Sequence, residues 1–190
     1  MTPSSKRKSK TAEGALPGEP EKAETLARIV RVDQAGEYGA KRIYEGQLAV
    51  MRGSDAEPIL REMLEQELAH LEKFNQELAD RQVRPTLLQP FWHVAGFALG
   101  AGTALLGRDA AMACTVAVEE VIDEHYAAQA EELGDDEADL RATIEEFRAD
   151  ELHHRDVGLQ HGAERAPAYP LLTGAIKAGS RLAIWLSTRI

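Results

Sequence analysis

Residues 67–70 read ELAH and residues 151–154 read ELHH, so Glu-x-x-His occurs twice in the 190-residue chain. In an α-helix of about 3.6 residues per turn, this spacing sets a carboxylate and an imidazole on one face, a turn apart. Both groups can then serve one metal-binding region. Each pair has a further acid upstream: Glu37 lies thirty residues before Glu67, and Glu119 thirty-two before Glu151. A lone Glu followed by Glu-x-x-His therefore appears twice, giving Glu37, Glu67, His70, Glu119, Glu151 and His154. Four carboxylates balance the charge of two divalent ions. Oxygen and imidazole donors without thiolate suit iron or manganese better than structural zinc. Spacing alone does not choose between iron and manganese. One Glu from each of two helices, with Glu-x-x-His from two others, is the donor set of dinuclear carboxylate centres in four-helix bundles. Glu67 and Glu151 each sit beside a His that commits to one ion, which makes them the bridging candidates.

A single Glu-x-x-His pair is most often a solvated surface pair, so the surrounding stripes decide. Helical spacing puts Glu67 and His70 in line with Leu60, Met63, Leu64, Leu71, Phe74 and Leu78. Glu151 and His154 line up with Leu140, Ile144 and Phe147, and Glu119 with Met112, Val116, Ile122 and Tyr126. Glu37 is the least clear, with Val30, Ala40 and Tyr44 on its side. Acids on core faces cost several kcal/mol each when ionised and unpaired, and these faces hold no Lys or Arg to offset them. Metal ions supply the missing charge. The rival register Asp150-x-x-His153 continues through Thr143, Glu146 and Val157, a largely polar row expected to face water. Glu120 likewise faces Glu124 rather than the apolar stripe. Asp33 and Asp123, each one turn from a candidate ligand, are placed to accept the outer ring N–H of a metal-bound His. Tyr126, two turns after Glu119, can approach the metals or pack in the core, whereas His125 points elsewhere.

The elements that must position these groups are helices. Periodicity predicts six, at about 21–52, 55–82, 90–106, 108–133, 136–163 and 170–189, with Ser54 or Asp55 capping the second and Pro58 in its first turn. No alternating strand pattern competes, so residues 21–190 read as one all-α domain. Residues 1–20, rich in Lys, Ser, Pro and Gly, read as a disordered basic arm without the apolar segment of a secretory leader. A net charge of −10 argues against wholesale nucleic-acid binding. Cys114 is the only cysteine, which excludes an internal disulfide and fits a small core residue.

Two helices exceed what a four-helix bundle needs. Residues 90–107, PFWHVAGFALGAGTALLG, are apolar almost all round and glycine-rich, too short for a confident membrane span. The last helix places Leu172, Ile176, Leu182, Trp185 and Leu186 toward one side, with Lys177, Arg181 and Arg189 elsewhere. Such a helix is expected to lie in an anionic membrane surface, its alternative being to pack on a neighbour.

Six segments carry a resemblance: RVDQAGEYGAKRIYEGQ (31–47), ELAH (67–70), GFALGAGTALLG (96–107), AMACTVAVEE (111–120), ELHH (151–154) and APAY (166–169). Together they resemble the demethoxyubiquinone hydroxylase family of ubiquinone biosynthesis, over about residues 26–190. The resemblance implies a ferritin-like, membrane-bound di-iron monooxygenase that uses O2 to hydroxylate the ring of a polyprenyl demethoxyubiquinol. It carries the metal ligands onto Glu37, Glu67, His70, Glu119, Glu151 and His154, and the family's His-Tyr pair onto His125 and Tyr126. Electrons are expected from NADH acting through the quinone, or from another protein. Membrane lipid and a lipid-binding accessory protein or ubiquinone-biosynthesis complex are the expected partners. The short arm lacks a transit-peptide pattern, so the expected location is the cytoplasmic face of a bacterial inner membrane, with the mitochondrial matrix face as the alternative. A membrane quinol oxidase and a ferritin-like iron store are the competing functions.

Overall fold

The computed structural model describes residues 21–190. The arm expected over residues 1–20 lies outside them. Six helices follow one another: α1 (Lys22–Met51), α2 (Glu57–Asp80), α3 (Gln89–Leu105), α4 (Arg108–Glu132), α5 (Ala138–Gln160) and α6 (Tyr169–Ser187). Short 3-10 turns at Asp135–Glu137 and Ala163–Arg165 flank α5, so that helix is shorter at both ends than its periodicity suggests. Helix α2 starts after Ala56 rather than from a side-chain cap at Ser54 or Asp55, and Pro58 stands in its first turn as expected. Among the described residues there are no strands.

Helices α1, α2, α4 and α5 form the all-α, ferritin-like bundle. Helix α3 lies on α1, and α6 lies on α4. The order is therefore repeated: a lone-Glu helix, a Glu-x-x-His helix, then an outer apolar helix packed on the first of the three. Two apolar clusters fill the bundle. One holds Met51, Leu60, Met63, Met112 and Val116, and the other Ile29, Phe74, Leu78, Leu140, Ile144 and Phe147. Along α2 the chain passes from Leu60 and Met63, through Glu67 and His70, to Phe74 and Leu78, so the polar residues lie between the two clusters.

Two of the three glycines of α3, Gly96 and Gly100, have a packing cause. Gly100 meets the backbone of Ile43, Gly96 meets that of Gly39, and on α1 Gly46 meets the backbone of Phe97. A Cβ at Gly100 would press into the Ile43 carbonyl, so only Gly lets these two helices approach so closely.

Among the described residues no helix is long and apolar enough to cross a membrane. The outer helices nonetheless show large apolar side chains to solvent: Phe91 and Val94 on α3, Leu171, Leu182 and Trp185 on α6. The apolar face expected on α6 is thus divided. Ile176 is buried and Leu172 packs partly against α4, while Leu182 and Trp185 stay exposed. Its basic residues are not all free either: Lys177 pairs with Glu120, and Arg181 with Glu124 at 2.9 Å.

Candidate metal centre

The structure brings all six sequence-predicted donors together. Glu37, Glu67, His70 and Glu151 offer ligand atoms within 4.8 Å of one another, as do Glu67, Glu119, Glu151 and His154. Glu67 and Glu151 belong to both groups, where bridging residues must stand. Every one of the six is buried, none more than 3 % exposed. Helix α2 supplies Glu67 and His70 from the face that otherwise carries Leu60, Met63 and Phe74, which is why the pair is driven inward. The same argument places Glu151 and His154 with Ile144 and Phe147 on α5.

The donor atoms converge, and only one pair satisfies itself: His154 Nδ1 lies 3.2 Å from Glu151 Oε2. Glu37 Oε2, both Glu67 oxygens, His70 Nδ1, Glu119 Oε2 and Glu151 Oε1 are buried and lack hydrogen-bond partners. Buried carboxylate oxygens in that state cost several kcal/mol unless a cation meets them, so the residues fit a metal pair. Both imidazoles turn Nδ1 inward: His70 Nδ1 lies 3.2 Å from Glu151 Oε1, and His154 Nδ1 3.3 Å from Glu67 Oε1. Their outer nitrogens face other groups, with His70 Nε2 3.1 Å from Asp150 Oδ2 and His154 Nε2 2.6 Å from Gln66 Oε1. Phe147 stacks on the His70 ring at 3.9 Å between centroids and fixes its plane.

Two buried tyrosines complete the arrangement. Tyr44 Oη donates to Glu119 Oε1 at 2.9 Å, and Tyr126 Oη donates to Glu37 Oε1. Each Tyr stands seven residues after the Glu on its own helix, yet reaches the Glu of the other. One oxygen of each lone Glu is thereby engaged, leaving the other for an ion. The electrostatics of the protein groups alone show the strain of the cluster. Burial and the nearby Glu151 charge push the Glu67 and Glu119 carboxyls well above the usual range, and burial raises Glu37 as well. Burial also acts to raise Glu151, but the His154 and His70 rings beside it outweigh burial and take that carboxyl down to about 2. For His70, burial disfavours the charged ring, yet Glu151 and Glu37 raise it to about 11.

The family described as ubiquinone biosynthesis protein COQ7 matches residues 24–187. The chain belongs to the COQ7 family. It is 62% identical over 182 residues to the 3-demethoxyubiquinol 3-hydroxylase of Rhodospirillum rubrum, covering 95% of this chain and 86% of that protein. It is 53% identical over 167 residues to the human NADPH-dependent 3-demethoxyubiquinone 3-hydroxylase, mitochondrial, covering 86% and 77%. The 5-demethoxyubiquinone hydroxylase, mitochondrial, of Saccharomyces cerevisiae is 42% identical over 182 residues, covering 87% and 78%.

Other expected contacts in this COQ7-family chain need correction. Asp33 is buried but turns to Gln129, at 2.7 Å, and to His125, at 3.4 Å, rather than to a ligand His. Asp123 is taken by Arg148 at 2.5 Å, because α5 presents a guanidinium where the outer nitrogen of a His was expected. The row of Asp150 and His153 faces water as expected, with His153 exposed, but Asp150 also reaches the outer nitrogen of His70 from it. Helical arithmetic followed one helix at a time, whereas the Asp150 partner comes from α2. Gln66, Tyr44 as a Glu119 partner, and Gln129 carried no signal of their own. The repeat could have found Tyr44, since Glu37 to Tyr44 and Glu119 to Tyr126 share one spacing. His125 points away from the six donors into the Asp33 and Gln129 cluster, and Tyr126 reaches them through Glu37.

Proposed function

We propose that the chain is a di-iron 3-demethoxyubiquinol 3-hydroxylase of ubiquinone biosynthesis, acting at a membrane surface. The observation that carries this reading is the buried convergence of four Glu and two His, among them six inward atoms of Glu37, Glu67, His70, Glu119 and Glu151 that lack hydrogen-bond partners. Glu37, Glu67, His70 and Glu151 would hold one iron, and Glu67, Glu119, Glu151 and His154 the other. The iron pair, when bound, supplies the reduction of O2 and its activation for insertion of one oxygen atom into the quinol ring. The chain's own residues do the rest. Glu67 and Glu151 reach both positions, and Tyr44 and Tyr126 each tie back one oxygen of a lone Glu. Phe147 holds the His70 ring, and the two apolar clusters keep water from the buried acids.

In this reading the substrate keeps its isoprenoid tail in the bilayer, and the exposed apolar residues of α3 and α6 support docking on that surface. A reduced nicotinamide dinucleotide, NADH, is the proposed electron source, acting through the quinone or another protein; the human relative is named NADPH-dependent. His125 and Tyr126 are proposed to serve substrate or electron transfer. The proposed place is the cytoplasmic face of a bacterial inner membrane, or the matrix face of its mitochondrial counterpart as the human and yeast relatives are named mitochondrial; a lipid-binding accessory protein is a proposed partner.

The deciding experiment incubates the iron-loaded full chain with demethoxyubiquinol in vesicles, a reductant and isotopically labelled O2. Mass spectrometry should find one labelled oxygen in the ring. Quinone without added oxygen would mark a quinol oxidase, and iron uptake with neither product would mark an iron store.

A further inference from the structure

The two halves of the centre follow one plan, and they depart from it in one direction. The residue before each Glu-x-x-His crosses to the His of the other pair. Asp150 Oδ2 takes the outer nitrogen of His70 at 3.1 Å, and Gln66 Oε1 takes that of His154 at 2.6 Å. A carboxylate therefore stands where the other half has a neutral amide. Four residues before the lone Glu the chain has Asp33 in the first half and Thr115 in the second, both buried. Just before the two tyrosines, His125 on α4 serves the first half and Ile43 on α1 the second. Each departure puts the more polar member at the His70 end. Of these groups only Asp150 and Gln66 touch a candidate ligand.

A carboxylate accepting the outer N–H of a metal-bound imidazole stabilises positive charge on the ring and strengthens its inner nitrogen as a donor. An amide oxygen does so more weakly. We propose that the two metal positions are inequivalent: the position at His70 fills first and more tightly because Asp150 backs it, while Gln66 leaves the position at His154 weaker. Asp150 and Gln66 are positioning residues, acting through the His each one holds. This inference rests on reading the cluster as a dinuclear centre. Asp150 is 42 % exposed, so solvent screens part of its effect. Loss of such an outer partner typically lowers metal affinity about 10–100-fold, and the partial exposure places Asp150 toward the lower end.

The test titrates the chelator-stripped full chain with anaerobic Fe2+ by calorimetry, and with Zn2+ while following the nitrogen resonances of the His70 and His154 rings. The expected result is two separable binding steps, the first perturbing His70. Asp150→Asn should weaken the first step about tenfold or more, and Gln66→Glu should tighten the second. The combined Asp150→Asn/Gln66→Glu chain should fill at His154 first. A reversal of order is something general loss of structure cannot produce, and Gln66→Glu alone keeps the test open if Asp150→Asn folds poorly. Two equal steps in the unaltered chain, or the same filling order in the combined variant, would overturn the inference. Failure of the unaltered chain to bind two ions would refute the metal-centre reading as well.

Discussion

Gly100→Ala and Gly102→Ala differ by two positions on one helix and should move stability in opposite directions. By helix propensity alone both changes should help, since Ala exceeds Gly by about 0.8–1.0 kcal/mol in a helix interior. At Gly102 a Cβ meets nothing within 4 Å, so that gain is realised, reduced near the helix end to about half a kcal/mol. At Gly100 the Cβ would press on the carbonyl and Cα of Ile43, backbone atoms that cannot rotate aside. Overpacking costs about 1–3 kcal/mol, and a rigid backbone contact belongs at the upper end. The net loss at Gly100 is then about 2 kcal/mol. For a domain of this size each kcal/mol moves Tm by about 2–4 °C. Thermal melts of the full chain should show a fall of roughly 4–8 °C for Gly100→Ala and a rise of about 1–2 °C for Gly102→Ala. Chemical denaturation midpoints should rank the variants the same way. If both rise, α3 does not lie against α1 at Ile43. The shared order of the two halves would then lose its outer helix.

Further outcomes test the centre and the surface. Glu67→Ala, Glu151→Ala or His154→Ala should each abolish hydroxylation and lower iron content below two per chain, while exposed His153→Ala keeps both; metal analysis with product assay decides. Replacing exposed Phe91 and Trp185 by Ser should weaken sedimentation with anionic vesicles, each aromatic being worth about 1.5–3 kcal/mol if fully inserted. Unchanged binding would return α3 and α6 to a packing role. Metal-stripped protein should be more stable near about pH 5.5 than about pH 8. Glu37, Glu67 and Glu119 titrate above 4.5 in the fold, and His70 moves from 6.5 to about 11, so each favours folding at low pH and loses that contribution as pH rises. Glu151, at about 2, works the other way but loses its contribution only in strong acid. Fe2+ at a hundredfold excess over its Kd should add about 2.7 kcal/mol and flatten the profile, and Glu119→Gln should stabilise only the metal-free chain at high pH.

How much could be read beforehand followed from how many sides of each helix are covered. Helices α2 and α5 have one face on the core and one in water, so their stripes from Leu60 to Leu78 and from Leu140 to His154 were legible. Helix α1 lies between the other bundle helices and α3, and buries Val32, Asp33, Gln34 and Ala35 in succession. Its pattern wraps around, which is why Glu37 was the least distinct ligand by periodicity. Contacts that join helices were out of reach of a single-helix reading. Asp150 looks solvated on α5 until α2 brings His70 beside it, and Lys177 and Arg181 look free until α4 supplies Glu120 and Glu124.

Where the fold fails to satisfy itself is informative about what it is for. Among the described residues, twelve buried side-chain polar atoms lack a hydrogen-bond partner, and six of them belong to Glu37, Glu67, His70, Glu119 and Glu151. Native folds leave few such atoms, because each costs about 1–3 kcal/mol and more when charged. A chain under selection for stability alone would replace these residues by the Leu, Ile and Phe that surround them. Structural salt bridges do not explain the set either, since among the described residues no Lys or Arg reaches it and the two His cannot pair four acids. The surrounding contacts also hold the acids fixed rather than relieving them: Tyr44 and Tyr126 engage one oxygen of a lone Glu each and leave its second oxygen bare. That arrangement is unfavourable for protein groups alone and favourable for a pair of divalent ions.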